Sequence, residues 1–330
     1  MTPFRLVDAH SAADAVALLR MHGPHAQAIA SGGDLLGLLK EGVAGPALAS
    51  PAVLVNLATA PELARIAQGP AGLRLGAMAT LVRLRQEPDM PPMLAEAIAH
   101  IASPQLRART TLGGNLLQRP RCLYFRHPDV PCFKKGGTGC PAQSGPAEAY
   151  PGALFPGACH AGHPSDLAPV LIALDAQAEV AGPGGLRTLP LIDLYRDAAF
   201  KRERETALAP DELLAAVIVP HGTRTQAFEK VAPRAANEFS WAGAAVVIER
   251  DGECIAGVRI VLSGIAPGPY LFERAGDLLV GQRANEVDAE QVAYELVQIE
   301  PATPSMAMRV SPARLAISRA LSRALRQPSA

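Results

Sequence analysis

Aromatic residues make up only 4% of this 330-residue chain, which removes the stacking platforms that single-stranded nucleic-acid binders use. Neither sign of charge is in excess, since 31 Lys and Arg balance 31 Asp and Glu. No long-range field therefore draws the protein to nucleic acid or to anionic lipid. There is no run of eighteen uncharged apolar residues, and the opening MTPFRLVDAH lacks a basic segment followed by an apolar one. Neither a membrane span nor a cleaved signal is expected. The expectation is a protein made in the cytoplasm, reaching the periplasm only by export alongside a partner that carries a signal. Also missing are the G-x-G-x-x-G fingerprint, a Walker lysine and any internal repeat, which argues against a Rossmann dinucleotide site and a P-loop.

What is present is length enough for two or three domains and a composition that is 49% hydrophobic, so a sizeable core is expected. Ser11 reads as the N-cap of a helix to Met21, with Asp14 three residues on. A short strand, Gln27 to Ala30, meets the turn Ser31-Gly32-Gly33-Asp34, which opens a helix from Leu35 to Lys40. Strands follow at Val53 to Leu57 and around Leu73 and Leu75; Thr80 caps a helix, and Pro91 or Pro92 starts another that runs to about Ile101. A second glycine turn, Thr111-Leu112-Gly113-Gly114-Asn115, comes next.

From Arg119 to Pro164 periodicity vanishes. Order resumes at Ser165-Asp166, with a helical stripe of Leu167, Val170, Leu171 and Leu174, then strands near Glu179, at Leu214 to Val219 and at Ala227 to Val231. Pro220 to Thr225 reads as a linker. Beyond it, long strands (Ala242 to Glu249, Ile255 to Leu262) precede helices near Phe272 to Val280, Ala289 to Ile299 and Arg309 to Arg326. The pattern is α+β, divided into residues 1–222, with parts at about 1–57 and 58–222, and a smaller α+β domain at 223–330.

Glycine lets a backbone approach a diphosphate, and a helix start offers unpaired N–H donors and a positive dipole end. Each turn could therefore cradle a diphosphate, the alternative being a Gly-Gly pair that only makes a tight turn. The cysteines carry a second chemistry. Cys122, Cys132, Cys140 and Cys159 fall within 38 residues of a Gly- and Pro-rich stretch, and four thiolates converging from one loop hold either zinc or a four-iron four-sulfur (4Fe-4S) cluster. Spacing alone leaves the metal open. Arg119, Arg121, Arg126, Lys134 and Lys135 flank these positions and would favour thiolate. His127, His160 and His163 read as polar loop residues, and Cys254 as a packing residue on a strand.

The runs Ala30-Ser31-Gly32-Gly33-Asp34-Leu35-Leu36, Thr111 to Leu117 and Ser165-Asp166-Leu167-Ala168-Pro169, with Phe228-Glu229-Lys230-Val231, resemble the FAD-binding medium subunits of the xanthine dehydrogenase and carbon monoxide dehydrogenase family. The segment Gln118-Arg119-Pro120-Arg121-Cys122 with its three further cysteines resembles the insertion of bacterial aldehyde oxidoreductase FAD subunits. The resemblance implies a two-part FAD-binding domain of the vanillyl-alcohol-oxidase (PCMH) type, followed by a domain of the CO dehydrogenase flavoprotein type.

It further implies FAD held by Ala30 to Leu36, by Thr111, Gly113, Gly114 and Asn115, by Ser165 and Asp166, and by Lys230. A 4Fe-4S cluster would sit on Cys122, Cys132, Cys140 and Cys159, in a loop of about 119–164. The implied partners are a large molybdenum-cofactor subunit, a small 2Fe-2S subunit and an external electron acceptor. One departure stands out: the family's Ala-Gly-Gly-Thr-Asp is here Ala30-Ser31-Gly32-Gly33-Asp34, so a hydroxyl is shifted along the turn. The competing readings are a non-catalytic zinc-binding assembly subunit and a free-standing flavin oxidase.

Overall fold

Three short strands, β1 (Arg5–Asp8), β2 (Ala26–Ile29) and β3 (Val53–Asn56), pair in parallel in the order β1-β3-β2. Parallel neighbours cannot be joined by tight turns. Helix Ala12–His22 therefore carries the chain from β1 to β2, and helix Leu35–Lys40 lies on the way from β2 to β3. The first helix starts as its cap demands, with Asp14 N–H donating to Ser11 Oγ at 3.0 Å. Ala15, Val16 and Leu19 form its buried stripe. The first glycine turn thus leaves the carboxyl end of β2, the edge where parallel sheets take ligands.

A second sheet has five antiparallel strands, β4 (Ile66–Gly69), β5 (Gly72–Gly76), β6 (Gln177–Gly182), β7 (Gly185–Pro190) and β8 (Leu213–Val219), in the order β4-β5-β8-β6-β7. A third, also antiparallel, has β9 (Thr225–Val231), β10 (Ala242–Asp251), β11 (Cys254–Ser263) and β12 (Tyr270–Leu271), in the order β12-β11-β10-β9. Helix Val310–Leu325 lies across β9 and β10 and buries Ala313, Ala316, Ile317, Ala320, Leu321 and Ala324. The small residues on that face let helix and sheet approach closely.

Helix Leu167–Ala173 decides where the site lies. All seven of its residues are buried, a wider apolar surface than the expected stripe, as befits a helix enclosed on every side. It shares one core with Leu73 and Val217 of the second sheet and with Phe228, Ala245, Val247 and Val261 of the third. Ser165 and Asp166, just before it, are therefore held between the two sheets.

The computed structural model describes residues 1–144, 152–197, 199–201, 204–222 and 224–328. Residues 145–151 of the expected 119–164 loop, and Thr223 of the expected linker, lie outside the described residues. The rest of that loop holds only short elements, Leu123–Arg126, Phe133–Lys135 and Pro141–Ser144. Among the described residues, no helix is long and apolar enough to cross a membrane.

Candidate cofactor site

Gly32 has φ +75°, and a Cβ there would meet the Leu36 side chain at 2.6 Å, so glycine is required. Among the described residues, the amides of Gly32, Gly33 and Asp34 have no acceptor. Three N–H groups without partners at a helix entrance form a concavity that suits an anion.

Asp34 itself faces the other way. Its Oδ2 accepts from the Arg119 amide at 2.7 Å, and its Oδ1 from Arg126 Nη2 at 2.5 Å, with Arg121 Nη2 at 3.2 Å.

At the second turn the amides are not free. Gly113 N–H donates to the Ala77 carbonyl at 2.8 Å, and Gly114 N–H donates to Thr111 Oγ1 at 3.1 Å. Gly113 is there for close approach, since a Cβ would lie 3.0 Å from Ala77 Cβ and 3.1 Å from its carbonyl. What the turn offers a ligand is the Asn115 side chain. The Ser165 hydroxyl donates to Asn115 Oδ1 at 2.7 Å, leaving Nδ2 with no acceptor among the described residues.

Asp166 is buried and accepts from Lys230 Nζ at 2.7 Å and from the Ser240 hydroxyl. Lys230 also donates to the His100 carbonyl at 3.1 Å. These residues form one connected wall. From Asp34 it runs to Arg121, on to Gln118 Oε1 at 3.1 Å, from Gln118 Nε2 to the Asn115 carbonyl at 2.9 Å, and through Ser165 to Asp166 and Lys230.

The cysteine pocket lies behind the first turn. Cys122, Cys132 and Cys159 are buried with Leu38 and Val43, the first in helix Leu35–Lys40 and the second just beyond it; Cys140 is half-buried. Burial pushes the Cys122 thiol up to about 11, pushes Cys159 up to about 12 and raises Cys132. Such thiols stay protonated at neutral pH unless a cationic centre displaces the protons.

Backbone amides lie near the sulfurs: those of Tyr124 and Phe125 near Cys122 and that of Lys134 near Cys132 favour the thiolates, and Ala161 N–H donates to Cys159 Sγ at 3.4 Å. Hydrogen bonds of this kind stabilise cluster thiolates. Among the described residues, no three His, Cys, Asp or Glu side chains converge as they would on a single ion.

The flanking bases divide. Arg119 is taken by Glu205, at 2.9 and 3.1 Å, and Arg121 and Arg126 by Asp34. Lys134 eases ionisation of Cys159, and Lys135 that of Cys132. Lys134 is itself buried and lowered by desolvation, and its ammonium donates to the carbonyls of Lys201, at 3.1 Å, and Arg204.

His163 corrects the sequence reading. It is no polar loop residue but a buried ring, edge-on to Tyr195 at 5.1 Å. Its Nδ1 has no partner among the described residues, and burial takes its pKa down to about 3. Gln118, Glu205 and Ser240 were not expected at the site. Gln118 stands in a motif that the sequence displays, whereas nothing local marks the other two.

Residues 2–222 match the family model described as the FAD binding domain in molybdopterin dehydrogenase, and residues 227–324 match the CO dehydrogenase flavoprotein C-terminal domain. The chain is 34% identical to the aldehyde oxidoreductase FAD-binding subunit PaoB of Escherichia coli, over 82% of this chain and 84% of its relative. It is 28% identical to the carbon monoxide dehydrogenase medium chain of Hydrogenophaga pseudoflava, over 88% and 85%. The solved structure of carbon monoxide dehydrogenase from the same organism, lacking the Mo-pyranopterin moiety, has a chain that superposes with a TM-score of 0.75 at 26% identity. That match covers 98% of this chain and 97% of the other. With this sequence match end to end and this fold, the chain belongs to the FAD-binding subunits of the molybdenum hydroxylase family of oxidoreductases.

Proposed function

We propose that this chain is the electron relay of a heterotrimeric dehydrogenase of the aldehyde or xanthine type. It would take electrons from the 2Fe-2S clusters of a small partner, which drains the molybdenum cofactor of a large one, and hand them through FAD to an external acceptor. The observation that carries the reading is the hydrogen-bonded wall from Asp34 to Lys230, which joins both glycine turns and the Ser165-Asp166 pair into one surface. FAD supplies the exchange between one-electron and two-electron carriers.

The protein's own contribution is binding and electrostatics. The unpaired amides of Gly32, Gly33 and Asp34 would hold the diphosphate. Asn115, fixed by Ser165, presents Nδ2. Asp166 and Lys230 set a buried ion pair against the cofactor without acting as acid or base. Residues 1–222 would carry the cofactor, and residues 223–330 would close over it through Lys230 and Ser240.

The same reading gives Cys122, Cys132, Cys140 and Cys159 a 4Fe-4S cluster. It is supported by an all-thiol donor set, by N–H groups near three of the sulfurs and by Lys134 and Lys135 beside them. The test is anaerobic purification followed by a visible spectrum and metal analysis. Flavin bands over a broad iron-sulfur shoulder are expected. Flavin without iron would keep the relay and remove the cluster. A colourless chain with stoichiometric zinc would replace both by the assembly subunit, and turnover without partner subunits would favour a free-standing oxidase.

A further inference from the structure

We infer that the Asp34 carboxylate is a latch between the glycine turn and the cysteine loop, a positioning group that shapes the cofactor cradle through Arg121 and Arg126 rather than by touching the cofactor itself. The inference rests on the reading of that turn as the diphosphate cradle. Both carboxylate oxygens are already committed. Oδ2 holds the Arg119 amide at 2.7 Å, and Oδ1 holds Arg126 at 2.5 Å and Arg121 at 3.2 Å. Arg126 is fixed in turn by donating from Nε to the Pro120 carbonyl at 2.9 Å. The residue therefore offers its amide to one side and its side chain to the other.

The chain that follows is bound to the same loop. Leu38 and Val43 pack among Cys122, Phe125 and Cys132. Ala47 N–H donates to the Lys135 carbonyl at 3.0 Å, and Gly45 comes so close that a Cβ would sit 2.3 Å from that oxygen. With the whole stretch from Asp34 to Ala47 held this way, the turn cannot shift unless the loop shifts too. Coupling between two sites is reciprocal. Ordering the cysteine loop should tighten FAD, and FAD should order the loop.

The experiment uses the full chain freed of FAD, titrated with FAD by flavin fluorescence, with hydrogen exchange followed over residues 119–135. Asp34→Asn keeps the size and removes the charge; FAD affinity should fall at least about 5-fold, the low end of couplings between sites. Exchange over 119–135 should quicken even without FAD. Asp34→Glu keeps the charge and should restore most of the affinity, whereas a space-filling role predicts the reverse order.

Arg126→Gln should weaken FAD by a similar factor. Its combination with Asp34→Asn should be no worse than the poorer single variant, because both remove one contact. Unchanged FAD affinity in Arg126→Gln, or additive losses in the double variant, would overturn the latch and return Asp34 to direct cofactor contact. If the unaltered chain binds no FAD, the cradle reading fails separately, and the exchange rates still decide whether this carboxylate holds the loop.

Discussion

Replacing Lys230 by methionine tests the join between the two parts of the site. The ammonium lies 2.7 Å from Asp166, with the side chains only 8% and 5% exposed, and it also satisfies the His100 carbonyl. Methionine fills similar space and offers neither bond, so Asp166 would keep only the Ser240 hydroxyl. Removing one partner of a buried ion pair costs about 3–5 kcal/mol, because the other charge stays desolvated. For a domain of 150–250 residues each kcal/mol is worth about 2–4 °C. The melting midpoint of the FAD-free chain should therefore drop by roughly 6–20 °C. Scanning calorimetry reads this directly. Lys230→Met combined with Asp166→Asn leaves no bare charge and should recover more than half of the loss. A drop under about 2 °C, or a double variant as unstable as the two singles summed, would refute the claim that this pair ties Asp166, at the start of helix Leu167–Ala173, to the third sheet.

Other outcomes follow from single contacts. Gly45→Ala puts a methyl against the Lys135 carbonyl and should cost about 1–3 kcal/mol by overpacking, seen as faster proteolysis within residues 119–144 and a lower midpoint. His163 is neutral in the fold, with a pKa near 3 against an ordinary 6.5. The unfolded chain thus binds its proton first as pH falls. Stability should decline from about pH 6.5 toward pH 3, and His163→Phe should flatten that part of the profile in urea titrations. In the metal-free chain, a thiol reagent at neutral pH should label half-exposed Cys140 and Cys254 before buried Cys122 and Cys159. Metal loading should protect Cys140 and leave Cys254 reactive.

Much of the local structure was legible in the sequence, because its causes lie within a few residues. The Ser11 cap, helix Leu35–Lys40, the Pro92 start and the long strands β10 and β11 appear where capping, proline and apolar runs put them. The strands not expected were those with little pattern to read. β1 and β4 have four residues each and β12 two, and β7 is a mostly exposed edge strand with no buried alternation. The enclosed helix Leu167–Ala173 read as a one-sided stripe, because a sequence shows which residues are apolar but not how many neighbours surround them.

The sequence by itself determined which chemical groups were at hand: two glycine turns at helix entrances, a Ser-Asp pair, a lysine and four clustered thiols. Tertiary structure alone decided how they divide the work. The two turns look alike in sequence, yet one keeps its amides free while the other gives them to Ala77 and Thr111. Asp34 sits in the glycine turn but turns its carboxylate to arginines 87 and 92 positions away. Whether an N–H or a carboxylate remains open to a ligand depends on what folding brings opposite it, and no pattern of neighbouring residues records that.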